Sequence, residues 1–154
     1  MKYTGSCHCG DVAFEFEGDF KEVIECNCSH CSRKGYLLTF VPRERFKLKT
    51  EESKLGTYMF NRHVIEHRFC KRCGCAPFGF GSNPKTGPTA AINVRCLEDF
   101  DLASIKRTPV DGKSFEDVLV ACGGWWDLCP SGTAHGLCPR RRADHIPSVP
   151  GALH

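Results

Sequence analysis

Seven of the chain's twelve cysteines stand in three tight groups: Cys7-x-Cys9, Cys26-x-Cys28-x-x-Cys31 and Cys70-x-x-Cys73. Thiolates one or two residues apart on a turn sit about one ligand span from each other, and a glycine just after them lets the backbone bend sharply. Cys7-His8-Cys9-Gly10 and Cys70-Lys71-Arg72-Cys73-Gly74 both have that form. Structural zinc sites close with four ligands, often as two pairs from distant parts of a chain. Cys7, Cys9, Cys70 and Cys73 make one such set, an expected structural zinc. Cys26, Cys28 and Cys31 lie within six residues of one another and can bind a second ion without help from elsewhere. Three protein ligands with a fourth position left for water or substrate is the pattern of catalytic zinc. The expectation is therefore two Zn²⁺ per chain, with Cys26, Cys28 and Cys31 as ligands of the catalytic, open one. Arg33 and Lys34 would favour thiolates and an anionic ligand nearby, or stand as ordinary surface charges.

The remaining candidates have quieter readings beside the chemical ones. Cys75, two residues past Cys73, could complete the second site, but a small buried side chain is the commoner use of such a residue. Cys96 reads as core. His8, His30 and His67 stand within three residues of ligand cysteines, as hydrogen-bond partners of sulfur, a general base, or packed imidazoles. Cys122, Cys129, His135 and Cys138 could make a third zinc site, since His135-x-x-Cys138 has ligand-like spacing, but the surrounding Gly and Pro argue against it. Arg140-Arg141-Arg142 reads as solvated charge.

The elements that must hold these groups read as strands. Residues 11–18 alternate, with Val12, Phe14 and Phe16 to one side and Glu15 and Glu17 to the other, as in a half-buried strand. Residues 46–49 repeat this briefly. Residues 55–60 and 64–69 are rich in β-branched and aromatic side chains, with Asn61-Arg62 between them as a hairpin turn. Residues 36–41 form an apolar run closed by Pro42, 42–45 one helical turn, and 89–94 a further strand. No helical apolar stripe persists over three turns, so the fold class is mainly β. From about residue 119 onward neither period is present. Residues 1–118 read as a zinc domain and 119–154 as an irregular tail, with Trp125 and Trp126 placed to pin its start onto the body.

A chain of 154 residues is of single-domain length and can bury a core. A net charge of +3, evenly spread, does not point to nucleic acid. No apolar stretch of about 18 residues suggests a membrane span, and the start, Met1-Lys2-Tyr3-Thr4-Gly5, lacks the apolar region of a signal peptide. A cytoplasmic protein is expected, and in a reducing compartment clustered cysteines are ligands or redox groups rather than a disulfide framework. Oligomeric state is not legible.

At Gly5-Ser6-Cys7-His8-Cys9-Gly10-Asp11-Val12, the segments 26–35 and 67–74, and Ile92-Asn93-Val94-Arg95-Cys96-Leu97, the sequence resembles the glutathione-dependent formaldehyde-activating enzyme family, which includes centromere protein V. The resemblance covers roughly residues 3–115. It implies a zinc-bound β-tent-like fold similar to that of methionine-R-sulfoxide reductases, and the same four-plus-three division of ligands. It also implies a carbon–sulfur lyase-type activity, the formation of S-hydroxymethylglutathione from formaldehyde and glutathione, so that the expected partners are a small thiol and an aldehyde. A three-thiolate zinc could bind an incoming thiol and lower its pKa, or polarise an aldehyde oxygen. Its accumulated negative charge weakens the second role and favours thiol capture. The other function to weigh is a zinc-stabilised protein-binding module without catalysis, as the centromere protein relative suggests.

Overall fold

The computed structural model describes residues 1–114. The expectations for the tail, namely the boundary at 118/119, the tryptophan anchor, the third cysteine–histidine site and the arginine cluster, lie outside the described residues. Ten strands carry the fold: β1 (Lys2–Ser6), β2 (Ala13–Glu17), β3 (Glu22–Cys26), β4 (Leu38–Pro42), β5 (Phe46–Leu48), β6 (Leu55–Tyr58), β7 (Glu66–Cys70), β8 (Phe78–Asn83), β9 (Gly87–Asn93) and β10 (Lys106–Val110). The α-helix α1 (Ser29–Lys34) follows β3, and 3₁₀ turns stand at Arg43–Arg45, Glu52–Lys54 and Val94–Cys96. Among the described residues no helix is long and apolar enough to cross a membrane. The chain is mainly β, as the alternating pattern predicts.

The strands form two sheets, β1-β2-β5 and β10-β3-β4-β9-β8-β7-β6. Within them β10 runs parallel to β3, and the other pairings are antiparallel. The face of β2 that the alternation marks as apolar is the one buried: Phe14 and Phe16 are 1% exposed, and Val12 just before the strand is fully covered. They pack with Phe46 of β5 against Phe78, Ala90 and Ile92 of the larger sheet. The rings of Phe14, Phe46 and Phe78 meet at 4.6–5.6 Å between centroids, an arrangement that adds to simple area burial. A second cluster of Val23, Leu37 and Val94 packs with Phe20, Phe100 and Leu102.

The expected strands at 36–41, 46–49, 55–60 and 89–94 and the turn at 42–45 all appear, with no end shifted by more than two residues. The hairpin between β6 and β7 differs. Its connection is not a two-residue Asn61-Arg62 turn but the longer segment 59–65, with Asn61 and His63 both in the left-handed region at φ 55°. Val64 and Ile65, read from sequence as the start of a strand, stand exposed in this loop. Below it the partly buried Arg68 pairs with Glu66 of its own strand and with Glu52 of the 3₁₀ turn before β6.

Candidate functional site

The two cysteine sets assemble as their spacing predicts. Cys7 and Cys9 lie on the turn joining β1 to β2, where Gly10 adopts φ 79° and donates its N–H to the Cys7 carbonyl. Cys70 ends β7, and Cys73 sits on the turn after it, where Gly74 adopts φ 72° and donates back to the Cys70 carbonyl. Only a residue free of a Cβ takes this left-handed bend readily. The four Sγ atoms lie within 4.8 Å of one another, with Cys7–Cys9 at 3.6 Å and Cys9–Cys70 at 3.7 Å. Burial holds the Cys7 thiol above its ordinary range. The Cys75 backbone N–H beside Cys73, with Cys9 and Cys70 close by, lowers that thiol to about 6. A cation held by the four sulfurs would displace whatever thiol protons remain.

Cys26 ends β3, Cys28 caps α1 and Cys31 lies inside that helix. Their sulfurs also gather within 4.8 Å. Backbone donors point at them: Cys28 N–H to Cys26 Sγ at 3.5 Å and Cys31 N–H to Cys28 Sγ at 3.3 Å. Burial, followed by the neighbouring Cys28 and Cys26 sulfurs, pushes the Cys31 thiol up. Both sets can hold a metal ion.

Neither Asn27, although it lies in the 26–35 segment, nor Gly112 has a role that the cysteine spacing predicts. The Asn27 amide donates to Asp111 Oδ1 at 2.8 Å, and its oxygen accepts from the Lys113 N–H at 3.0 Å. It thereby ties the end of β10 down over the three cysteines. Gly112 then lies so close that a Cβ there would overlap Cys26 Sγ and stand 2.9 Å from Cys28 Cβ. A strand pairing of residues more than eighty positions apart creates this contact. Local spacing could not have revealed it.

The three-cysteine set opens into a cavity of about 350 Å³. One wall is a row across four strands, Phe40 of β4, Ala91 of β9, Gly79 of β8 and His67 of β7, each paired with the next in register. The loop 59–65 supplies the facing wall through Phe60, Asn61, Arg62, Val64 and Ile65. His67 is held among aromatic rings, with His30 at 4.1 Å and Phe60 at 5.2 Å between centroids. Burial, with smaller contributions from His30 and Lys34, lowers its pKa to about 4, so the imidazole is neutral at pH 7. His30 packs on Tyr36, Tyr58 and Phe60. His8 is exposed. Arg33 donates to the Ser29 carbonyl within its own helix.

Cys75 does not complete the second site. Its sulfur lies 3.6 Å from that of Cys96, and both pack against the main core. Its backbone belongs to the four-cysteine turn, its carbonyl accepting from Cys70 N–H at 2.8 Å.

The model of the glutathione-dependent formaldehyde-activating enzyme family matches residues 2–109. Among solved structures, the crystal structure of a Rhodobacter sphaeroides protein, a Northeast Structural Genomics target, is similar at 26% identity. The match covers 68% of this chain and 99% of that one, with a TM-score of 0.59.

Proposed function

This chain belongs to the glutathione-dependent formaldehyde-activating enzyme family, and from that premise we propose that it is a zinc-dependent enzyme of thiol–aldehyde adducts. The reaction is of carbon–sulfur lyase type: S–H adds across an aldehyde C=O, forming the C–S bond and passing the thiol proton to oxygen, and the reverse step releases both. It needs no redox partner. The adduct is S-hydroxymethylglutathione or that of a related thiol.

The observation that carries this reading is the unequal setting of the two cysteine sets. Cys7, Cys9, Cys70 and Cys73 are spent joining two turns, whereas Cys26, Cys28 and Cys31 line the cavity. A tetrahedral site with metal–sulfur bonds of about 2.3 Å has sulfurs about 3.8 Å apart. The 3.6 and 3.7 Å separations in the four-cysteine set suit it. Cys7, Cys9, Cys70 and Cys73 would hold a structural Zn²⁺, and Cys26, Cys28 and Cys31 a second with one position open, two per chain. When bound, the second ion would favour the thiolate form of a substrate sulfur or draw charge from an aldehyde oxygen. The chain does the rest. Backbone N–H groups of Cys28 and Cys31 hold the ligand sulfurs in place, and Asn27 keeps the residue 111–113 segment over them. The apolar wall excludes water, and neutral His67 brings a hydrogen-bonding nitrogen into it without a charge. We extend the proposal to a β-tent-like fold of the methionine-R-sulfoxide reductase kind and to the cytoplasm, where thiols stay reduced.

The test is the rate of exchange between free and adduct states at equilibrium, followed by NMR with formaldehyde and a thiol. Exchange should quicken in proportion to enzyme and fall to the uncatalysed rate with Cys28→Ser, while the equilibrium stays in place. If a panel of thiols and small aldehydes all exchange at the uncatalysed rate with both metals present, the zinc-stabilised binding module replaces the enzyme.

A further inference from the structure

The cavity over the three cysteines is walled mostly by carbon. Among the described residues that line it, Arg62 is the one Lys, Arg, Asp or Glu. Asn93 already spends its amide, donating to the Ala76 carbonyl and accepting from the Arg95 N–H, both at 3.3 Å. A molecule with two carboxylates and an ammonium, as glutathione has, finds a single charged partner, Arg62, among the described lining residues, and an ion left unpaired against hydrocarbon is strongly disfavoured.

A second observation points the same way. The exposed large hydrophobic residues among those described are Met1, Phe40, Tyr58, Val64 and Ile65. Three of them, Phe40, Val64 and Ile65, line this one cavity. They come from a strand and a loop distant in sequence. Phe40 stands on the face of β4 opposite the buried Thr39 and Val41, so core packing does not call for it there. Exposed apolar side chains gathered round a concave site mark a surface that is covered by a ligand. Between them, the row through Ala91 and Gly79 keeps the wall low and leaves room for a body to lie flat.

We propose that the substrate of this cavity is a thiol or aldehyde, or their adduct, with an uncharged alkyl or aryl body. The sulfur or carbonyl head meets the three-cysteine group, and the body rests on Ala91 and Gly79 between Phe40 and the Val64-Ile65 segment. The inference rests on the reading of Cys26, Cys28 and Cys31 as the reaction centre, and it deepens that reading by naming what the centre takes.

Calorimetric titration of the full, metal-loaded chain tests it, with n-alkanethiols from ethanethiol to hexanethiol, the matching n-aldehydes and n-alcohols, and glutathione as probes. The length dependence reports on the body, and the offset between series reports on the head. Affinity should rise about threefold to fourfold per methylene, in the thiol or the aldehyde series according to which head binds, and hexanethiol should bind at least tenfold more tightly than glutathione. Ile65→Glu and Val64→Glu, both at exposed loop positions, should weaken hexanethiol tenfold or more while metal content and thermal melting stay those of the parent. A series flat with length, glutathione binding as tightly as hexanethiol, or loop variants with parental affinity each overturn the proposal. Alcohols equal to thiols and aldehydes at every length, with the slope retained, overturn the reaction-centre premise instead.

Discussion

At Gly112 a single hydrogen in place of a side chain decides whether Cys26 and Cys28 can come together. Because a Cβ there would overlap one cysteine sulfur and crowd the other's Cβ, Gly112→Ala must push the segment outward against the Asn27 bonds or spread the sulfurs. The expected result is a folded protein whose metal content, measured by elemental analysis, falls from about two to about one per chain. Full content with parental exchange kinetics would show that the segment yields instead. His67 gives a prediction in pH. Its folded pKa of about 4 lies below the ordinary 6.5, so the unfolded chain takes up this proton first as pH falls. Stability linked to the group is complete above pH 6.5, is lost as pH drops, and levels off below about 4. Thiolate protonation also weakens the metal sites in acid, so the readout is a difference: denaturation midpoints of the parent minus those of His67→Leu. That difference should shrink across the window for a buried neutral imidazole. A constant difference would mean that His67 is solvated.

On the scale of elements, the two cysteine sets divide the labour. The turn between β1 and β2 belongs to the three-stranded sheet, and the turn after β7 to the seven-stranded one, so a metal on Cys7, Cys9, Cys70 and Cys73 stitches the sheets together. Metal binding in small zinc-folded peptides supplies on the order of 10 kcal/mol, comparable with the roughly 5–15 kcal/mol net stability of a whole domain. Cys73→Ser is therefore expected to lower the melting temperature by more than about 10 °C or to abolish soluble protein. Cys28→Ser removes one ligand of a local site while leaving a hydroxyl that can still cap α1, and circular dichroism should show a folded chain with one metal. Equal unfolding by both would make both sites structural. α1 itself has six residues, too few to form alone. It is held at its ends, where Cys28 Sγ accepts from Cys31 N–H and Gly35, at φ 63°, donates to the Cys31 carbonyl. A helix this short leaves no periodic trace. Nor does β10, whose Lys-Arg-Thr-Pro-Val sequence suits an edge strand, where Pro109 need not donate, but matches no strand pattern.

Among the described residues, one cysteine set lies between turns of the two sheets and the other opens to a cavity. Under mild chelation at neutral pH, followed with a colorimetric zinc indicator, the ions should leave in two phases, the three-cysteine ion first, with folded structure lost only in the second. A single phase coupled to unfolding would contradict the division. Much of this was legible from residues alone. Each cysteine pair or triplet is local, the glycines after Cys9 and Cys73 announce their bends, and Val12, Phe14 and Phe16 disclose the buried face of β2 by alternation. Such features depend on neighbours one to four positions away, which sequence spacing records. What the tertiary structure decided lies at long range. The register of β4, β9, β8 and β7 brings Phe40, Ala91, Gly79 and His67 into one wall. The parallel pairing of β10 with β3 lays Gly112 over Cys26. The left-handed backbone at Asn61 and His63 turns Val64 and Ile65 out of a strand and onto the cavity. The direction of the Cys70–Cys75 turn sends Cys75 to Cys96. Composition leaves these contacts undetermined because each depends on which strands become neighbours, a choice made by burial of the whole core and not by any one segment's own preference.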